Sequence, residues 1–333
     1  MSSKGRKDPF FIVGSQRSGS TLLRLMLNAH SEIAVPEEAR FIRPIIHKKV
    51  LNKNELMRIK KYLLRHPQYK LWNYDFYDFV NSLDQKGTIK SGDLIESLYL
   101  SYAKSEGKNS WGDKSLFFDE IERIHKLIPN VKFIHIVRDG RDVCLSWAKM
   151  DSKESNVAIS AFDWAFKNNR IKRSIKKLEN GAYMVLRYED LIVDPMSTIK
   201  KVCLFLDIEF EDNMLLFYKN SEKYIGDHHS DLIFKPINHE NIKKWMKSMS
   251  DDDAKVYSFI AQELLKEYGY FVEKVNFFIK IKAILSFILG VPYKLYKYIF
   301  NRFLVKILYR GGRHVSQNTF DVISVGNMPR YKG

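Results

Sequence analysis

The chain of 333 residues carries 55 lysine and arginine residues against 39 aspartate and glutamate residues, which gives a formal net charge of +16 at pH 7. Its 45% hydrophobic and 14% aromatic content is enough for a sizeable core and excludes a wholly disordered chain. The charge predicts an anionic partner, and it leaves open a nucleotide, a nucleic acid, an acidic acceptor or an acidic membrane.

Continuous apolar runs alternate with helical patterns along most of the chain. Buried strands are predicted at 10–13, 131–137 and 183–186. Helices are predicted near 22–27, 54–106, 117–128, 158–179, 196–219 and 239–268, and from Asp142 onward. Because strands that alternate with helices favour a parallel sheet, the sequence predicts an α/β fold, a P-loop-type parallel sheet flanked by helices.

The segment from Gly14 to Thr21, Gly-Ser-Gln-Arg-Ser-Gly-Ser-Thr, joins the first strand to the first helix. Backbone N–H groups in such a turn, together with the helix N-terminus, form a phosphate site. The spacing nearly matches GxxxxGK[ST], but Ser20 stands at the lysine position and Arg17 supplies the positive charge. The loop therefore predicts a nucleotide with one 5′-phosphate group, and it argues against γ-phosphoryl transfer and a metal-bridged triphosphate.

A second anion site is predicted where the strand at 131–137 ends. Arg138 stands at its carboxyl end and Ser146 lies two turns into the next helix, which is where ligands bind in open α/β sheets. Two such sites predict a nucleotide that carries both a 5′- and a 3′-phosphate. The alternative is that Arg138 only pairs with Asp139 or Asp142 at a surface turn.

Four segments resemble the sulfotransferases that use 3′-phosphoadenosine 5′-phosphosulfate (PAPS), particularly the branch of the protein-tyrosine sulfotransferases and their bacterial relatives. The likeness is strongest at 11–42, FIVGSQRSGSTLLRLMLNAHSEIAVPEEARFI, and at 133–147, FIHIVRDGRDVCLSW. Weaker matches follow at 185–195, VLRYEDLIVDP, and at 233–245, IFKPINHENIKKW. The resemblance implies metal-free sulfuryl transfer from PAPS to an acceptor hydroxyl. Because the acceptor-binding residues of the tyrosine sulfotransferases do not carry over, we predict a carbohydrate, a lipid or a small metabolite as the acceptor.

The resemblance also implies a role for each matching residue that binds the co-substrate PAPS. Its 5′-phosphosulfate would be cradled by Arg17, Ser18, Gly19, Ser20 and Thr21. Its 3′-phosphate would be held by Arg138 and Ser146, and the nucleotide pocket would be completed by Tyr188 and Lys235.

The same resemblance places the catalytic groups on two other segments. Glu38 falls where that branch keeps its catalytic base, and Lys114 falls where a transition-state lysine is expected. Glu37 and Arg40 would bind the acceptor substrate. Because Pro36 replaces a small residue before the glutamates, either Glu37 or Glu38 could face the acceptor and act as the base.

Two other classes of protein stay open at this point. The first is a nucleotide kinase of related P-loop fold, against which the missing loop lysine argues. The second is a non-catalytic protein that binds a membrane or nucleic acid through its basic C-terminal segment, without nucleotide dependence.

Composition changes after Glu273, and we predict a boundary there between a PAPS-binding domain at 1–272 and a basic, apolar extension at 273–333. Between Lys274 and Phe320 there are six lysines, three arginines and no acidic residue. The pattern predicts a pair of helices broken at 290–292. Such a segment suits an anionic membrane interface, with packing on the catalytic core as the alternative. Nucleic acid is disfavoured because no known binding motif accompanies the charge.

Cysteine usage and hydropathy predict a cytoplasmic protein with a peripheral membrane contact. Cys144 and Cys203 lie far apart without a CxxC motif, which disfavours a disulfide framework or a zinc site. No stretch offers about 18 uncharged apolar residues in a row, as a clean transmembrane helix would. The apolar run near the N-terminus is too short for a signal-peptide core.

Overall fold

The structure, a computed structural model, describes residues 6–66, 72, 74–75, 77–85, 87–150, 156–219 and 235–310. These divide into two compact units. The first comprises the described residues up to Val137, those from Lys167 to 219, and 235–237. The second comprises the described residues from Arg138 to Phe166 and from Asn238 onward. The predicted boundary at 272/273 stays a prediction, and the end of the predicted extension, 311–333, lies outside the described residues.

A five-stranded parallel sheet forms the centre of the first unit. Its strands are β1 (Phe10–Gly14), β2 (Ile33–Ala34), β5 (Ser110–Asp113), β6 (Lys132–Val137) and β7 (Tyr183–Arg187). They lie in the order β2-β5-β1-β6-β7, and every neighbouring pair is parallel. A separate antiparallel pair joins β3 (Val50–Asn52) to β4 (Thr88–Lys90). The sheet confirms the predicted α/β class with a parallel sheet flanked by helices.

Apolar side chains explain why the middle strands lie inside. All five residues of β1 are buried, and so are the last five of β6. The Phe11 ring packs edge-on against Trp111 with centroids 5.9 Å apart, and Trp111 stacks on Tyr99 at 4.3 Å. Burial on both faces is typical of a parallel sheet covered by helices, which is why these strands carry continuous apolar runs.

Helices of the first unit flank the sheet. They are α1 (Ser20–Asn28), α2 (Arg43–Ile46), α3 (Lys53–Leu63), α4 (Tyr77–Ser82), α5 (Ser91–Ser105), α6 (Ile121–Leu127), α9 (Tyr188–Val193) and α10 (Pro195–Leu206). One further helix, α8 (Val157–Ile175), contributes to both units. The predicted helical stretch at 54–106 contains β4 between α4 and α5, so that prediction was wrong for 88–90. This short strand lies on the polar pattern Thr-Ile-Lys, which carries no buried-strand signal.

The second unit is helical within the part of the chain that the structure describes. Its helices are α7 (Gly140–Met150), α11 (Trp245–Ser248), α12 (Asp251–Glu267) and α13 (Phe277–Arg310). None of the described helices is long and apolar enough to span a bilayer.

The predicted break at 290–292 was wrong, because α13 runs without interruption from Phe277 to Arg310 with Pro292 inside it. Gly290 serves close packing instead of a turn. A Cβ at this position would lie 2.3 Å from Cγ1 of Ile159, so only glycine allows the approach. Pro292 has no backbone N–H, so one helical hydrogen bond is missing at this position.

Candidate functional site

The carboxyl ends of the parallel strands bring the predicted residues to one edge of the sheet. The Gly14–Thr21 loop follows β1, and Lys114 follows β5 directly. Glu38 comes four residues after β2, and Tyr188 follows β7. β1 and β5 are neighbours in the sheet, with Phe11 paired to Asp113. This edge is where open α/β sheets bind their ligands.

The predicted phosphate loop, Gly14–Thr21, presents buried hydroxyl groups and helix amides. Ser15 and Ser18 are buried, and neither side-chain oxygen has a hydrogen-bond partner within the described chain. Gly19 is the N-cap of α1 and offers no side-chain oxygen, so the amides of the first turn stay available. Buried hydroxyls and helix amides without an acceptor fit a phosphate group, whose oxygens accept hydrogen bonds.

Two residues of this loop take left-handed backbone conformations. Arg17 has φ 68° and Gly19 has φ 91°. At Gly19 the ring of Tyr188 closes the space, since an added Cβ would lie 2.1 Å from Tyr188 Cδ2. Tyr188 therefore packs on the loop, and glycine is required at 19 both by conformation and by space.

Glu38 and Lys114 form a buried ion pair. Lys114 Nζ lies 3.0 Å from Glu38 Oε1, with only 2% of the lysine exposed. On the other carboxylate oxygen, Arg40 Nε lies 3.0 Å from Oε2, and the Arg40 side chain is about one-third exposed. The two predicted catalytic residues are thus in contact, and the partly exposed Arg40 connects this pair to the solvent.

Glu37 has a different partner, although it is the next residue in the chain. Arg24 of α1 donates from Nη1 to Glu37 Oε1 over 2.6 Å and from Nε to the Val35 carbonyl over 3.0 Å. Trp72 Nε1 donates to the Glu37 carbonyl over 2.8 Å. These bonds fix the strand-to-loop segment from inside, which leaves Glu38 as the carboxylate that meets Lys114.

Sequence reasoning missed a hydrogen-bond network beneath this pair. Asp113 accepts from Tyr99 Oη at 2.5 Å, and from the amide and hydroxyl of Ser115 at 2.7 Å each. The Ser115 hydroxyl in turn accepts from the Ala39 amide over 2.6 Å. Burial raises the pKa of the Asp113 carboxyl to about 6, although these hydrogen bonds lower it. The signal in the sequence is the polar string Asp-Lys-Ser that ends β5.

In the second unit, the Arg138–Asp142 segment is held by its own side chains. Arg141 is fully buried, pairs with Asp139 at 2.7 Å and lies 3.6 Å from the centroid of the Trp245 ring. The Trp245 amide donates to Asp142 Oδ1 over 2.9 Å. The remaining charged residue, Arg138, donates from Nη2 to the Asn241 carbonyl over 2.7 Å. Arg138 Nη2 also lies 3.9 Å from Asp142 Oδ2, the pairing of the alternative interpretation, but the turn is buried and not at the surface.

The remaining predicted residues lie as follows. Ser146 is half-buried in the second turn of α7. Lys235 is exposed, and residues 233 and 234 before it fall outside the described ranges. The roles predicted for Ser146 and Lys235 stay predictions. Among the residues that the structure describes, no cluster of three or more His, Cys, Asp or Glu side chains could hold a metal ion.

Comparison with known proteins identifies the family of the chain. The profile of the sulfotransferase family matches residues 9–212. Protein-tyrosine sulfotransferase A of Caenorhabditis elegans is 27% identical over 288 residues, which cover 80% of this chain and 68% of that protein. Protein-tyrosine sulfotransferase 1 of Danio rerio is 25% identical over 286 residues, covering 78% of this chain and 71% of that protein.

Among solved structures, the sulfotransferase domain from the curacin biosynthetic pathway has the same fold. It superimposes with a TM-score of 0.57 at 21% identity, covering 80% of this chain and 99% of that domain. The sulfotransferase domain of the Synechococcus PCC 7002 olefin synthase gives a TM-score of 0.56 at 20% identity, covering 80% of this chain and 97% of that domain.

A parallel sheet whose predicted phosphate loop lacks the P-loop lysine, with a buried lysine–glutamate pair at the same edge, fits a group-transfer enzyme of P-loop-like fold. The family match covers more than half of the chain. The chain therefore belongs to the sulfotransferase family, as the resemblance predicted, and the kinase and non-catalytic alternatives are no longer needed.

Proposed function

We propose that this enzyme transfers a sulfuryl group from PAPS to an acceptor hydroxyl, with Glu38 as the general base. The observation that carries the proposal is the buried ion pair between Glu38 and Lys114, which belong to segments that follow β2 and β5. A hydroxyl is a weak nucleophile while it keeps its proton, so a positioned base is required. A cation beside that base can stabilise the charge that develops on transfer.

The phosphate loop fits the 5′ end of such a nucleotide. The hydroxyls of Ser15 and Ser18, which have no partner among the described residues, and the first-turn amides of α1 would donate hydrogen bonds to the phosphosulfate oxygens. Arg17 adds a positive charge inside the loop. The 3′-phosphate is assigned to Arg138 and Ser146 by the sequence motif that contains them.

Each residue then has a distinct part in an in-line transfer. PAPS supplies the sulfuryl group. Glu38 removes the proton of the acceptor hydroxyl as the acceptor oxygen bonds to sulfur. Lys114 stabilises the negative charge left on the bridging phosphate oxygen as its bond to sulfur breaks. The products are the sulfate ester and 3′-phosphoadenosine 5′-phosphate (PAP), with the proton on Glu38.

The acceptor is proposed as a hydroxyl of a carbohydrate, a lipid or a small metabolite. The named relatives are protein-tyrosine sulfotransferases, which makes a tyrosyl hydroxyl the comparison to test. Transfer of labelled sulfate to sugar, lipid and tyrosine-peptide acceptors, measured side by side, ranks these classes. We also propose a cytoplasmic location.

Calorimetric titration with PAP, with ATP and ADP as controls, tests the nucleotide assignment. We expect tight PAP binding that collapses in Arg138→Ala and persists in Arg123→Ala, whose side chain is 55% exposed outside the site. Failure of the folded wild-type protein to bind PAP would overturn the proposal.

A further inference from the structure

The helix α13 has two faces in different surroundings. Its inward positions Ile279, Ala283, Ser286 and Gly290 follow the spacing of one helix face. Ile279 and Ala283 are buried against α12 and the start of α8. The Ser286 carbonyl accepts from Asn156 Nδ2 over 3.0 Å. The inward face of α13 therefore packs on other residues of the second unit.

The opposite face carries large apolar side chains in solvent. We call it the outer stripe and define it by six residues, 40% to 70% exposed, that follow one side of the helix: Phe277, Ile281, Ile284, Ile288, Leu295 and Ile299. Leu285 and Leu289 lie beside it and are 55% and 79% exposed. At about 1.5 Å per residue the stripe is roughly 35 Å long. A contiguous exposed apolar surface of this length marks an interaction site.

The cations beside the outer stripe indicate what kind of surface covers it. Lys280 and Lys282 are exposed and fall on its two borders, given 3.6 residues per turn. Lys282 also pairs with Asp252 of α12 over 2.8 Å. Residues 274–320 contain nine cations and no acidic residue. Lysines at the borders of an apolar face are typical of a helix that lies in a lipid interface, because their stems reach the headgroups.

A second copy of the helix fits this surface less well. Dimeric helices use a narrow apolar seam with opposite charges along its edges. The stripe is wider, because Leu285 and Leu289 extend it, and two copies would bring cations against cations. Anionic headgroups would pair with exposed cations such as Lys280.

We propose that the outer stripe of α13 docks the protein on an anionic membrane surface, with its axis in the plane of the interface. The inference is independent of the reaction, because it uses only contacts and charges of the second unit. It also accounts for a 34-residue helix whose inward positions between Ile279 and Gly290 contact its own unit, while the outer stripe has no cover among the described residues.

Cosedimentation of the full chain with vesicles tests this proposal. Phosphatidylcholine vesicles with and without phosphatidylserine are compared at rising salt concentration. We expect binding to the anionic vesicles alone and progressive release by salt, because Coulombic attraction to headgroups is screened. Equal binding to both vesicles, or none to either, overturns the proposal. This arm uses the unchanged protein, so it does not depend on how a variant folds.

Two variants locate the contact. Ile284→Asp combined with Ile288→Asp should weaken vesicle binding by more than about tenfold, because two isoleucines lose their burial in lipid. Lys280→Gln should weaken it about fivefold, the effect of one cation near an anionic surface. Leu204→Asp is the matched control, since Leu204 is 83% exposed on α10 of the first unit.

Analytical ultracentrifugation tests the alternative, in which a second copy of the chain covers the outer stripe. A wild-type dimer that the Ile284→Asp/Ile288→Asp variant converts to monomer, without vesicle binding by either protein, would assign the stripe to a second copy and overturn the membrane proposal. A monomer in both proteins, with vesicle binding by the wild type alone, supports it.

Discussion

Two adjacent glutamates, Glu37 and Glu38, have different partners and therefore different expected roles. Glu37 is held by Arg24 and by Trp72, whereas Glu38 meets Lys114 and Arg40. The same charge therefore stabilises a loop at one position and faces Lys114, the proposed catalytic lysine, at the next. We therefore expect a substitution at Glu37 to lower stability and a substitution at Glu38 to lower turnover.

Glu38→Gln should lower turnover by about 100- to 10,000-fold, the usual contribution of a general base, while PAP still binds. Glu37→Gln should instead lower the free energy of unfolding by about 1–3 kcal/mol, because the buried Arg24 guanidinium loses a charged partner. Urea unfolding and sulfate transfer are measured for both. Full activity in Glu38→Gln, or equal loss of activity in the two variants, would contradict the assignment.

Gly19 carries a second prediction at the scale of single residues. Gly19→Ala should abolish PAP binding, because the new Cβ meets the Tyr188 ring at 2.1 Å and φ is 91°. The control is Gly181→Ala, where φ is 88° and no atom lies within 4 Å of the new Cβ. The control should be destabilised by about 1 kcal/mol through its backbone alone and should bind PAP normally. Equal PAP affinity in the two variants would show that the contact with Tyr188 is unimportant.

At the scale of elements, the network at the end of β5 positions the loop that carries Glu38. The Ser115 hydroxyl donates to Asp113 and accepts from the Ala39 amide, so it joins the strand to the residue next to Glu38. Lys114 lies between Asp113 and Ser115 in the chain and pairs with Glu38. A single hydroxyl thus links the segments of both proposed catalytic residues.

Ser115→Ala should reduce kcat by roughly 10- to 100-fold through misplacement of Glu38, with little change in the PAP Kd. Ser91→Ala is the control, since the Ser91 hydroxyl is also fully buried yet has no hydrogen-bond partner among the described residues. Its removal should leave kcat unchanged. If Ser115→Thr, which keeps the hydroxyl, fails to restore kcat, the positioning role is refuted.

The elements that sequence could predict are those with a continuous apolar run. β1, β6 and β7 carry such runs and were predicted, along with the loop and the arginine that follow the first two. β2 has two residues, and β5 reads Ser-Trp-Gly-Asp, so neither gives a strand signal. Only family resemblance pointed to Glu38 and Lys114, because the strands that place them are invisible as patterns. The Asp113 network depends on tertiary contacts, and its one local signal is the polar string Asp113-Lys114-Ser115 at the end of β5.

At the scale of the whole molecule, two buried groups of the central sheet, Asp113 and His135, have opposite effects on how the free energy of unfolding changes with pH. Burial raises the pKa of Asp113 from 3.8 to about 6. Burial lowers the pKa of His135 from 6.5 to about 4, although the side chain of Asn168 bonds to its Nε2 at 2.9 Å. Asp113 makes the native state bind more protons than the unfolded chain between about pH 4 and 6. His135 makes it bind fewer between about pH 4 and 6.5.

The signs follow from proton linkage. As pH falls from 6 to 4, Asp113 adds about 3 kcal/mol to the free energy of unfolding, at about 1.4 kcal/mol for each pKa unit of its shift. As pH falls from 6.5 to 4, His135 removes about the same amount. The two contributions nearly cancel in the wild-type protein, so removing either group should expose the other.

Asp113→Asn should therefore lose stability relative to wild type, by up to about 3 kcal/mol, as pH falls from about 6 to 4. His135→Gln, which keeps a donor for Asn168, should gain a similar amount relative to wild type over the same range. Urea unfolding of the three proteins at about pH 4, 5 and 7 measures both differences, and the other titrating groups cancel because all three proteins share them. Three parallel stability profiles would contradict the opposition of the two groups. Opposite slopes would show that the sheet carrying the proposed site keeps a carboxylate and a neutral imidazole buried at neutral pH.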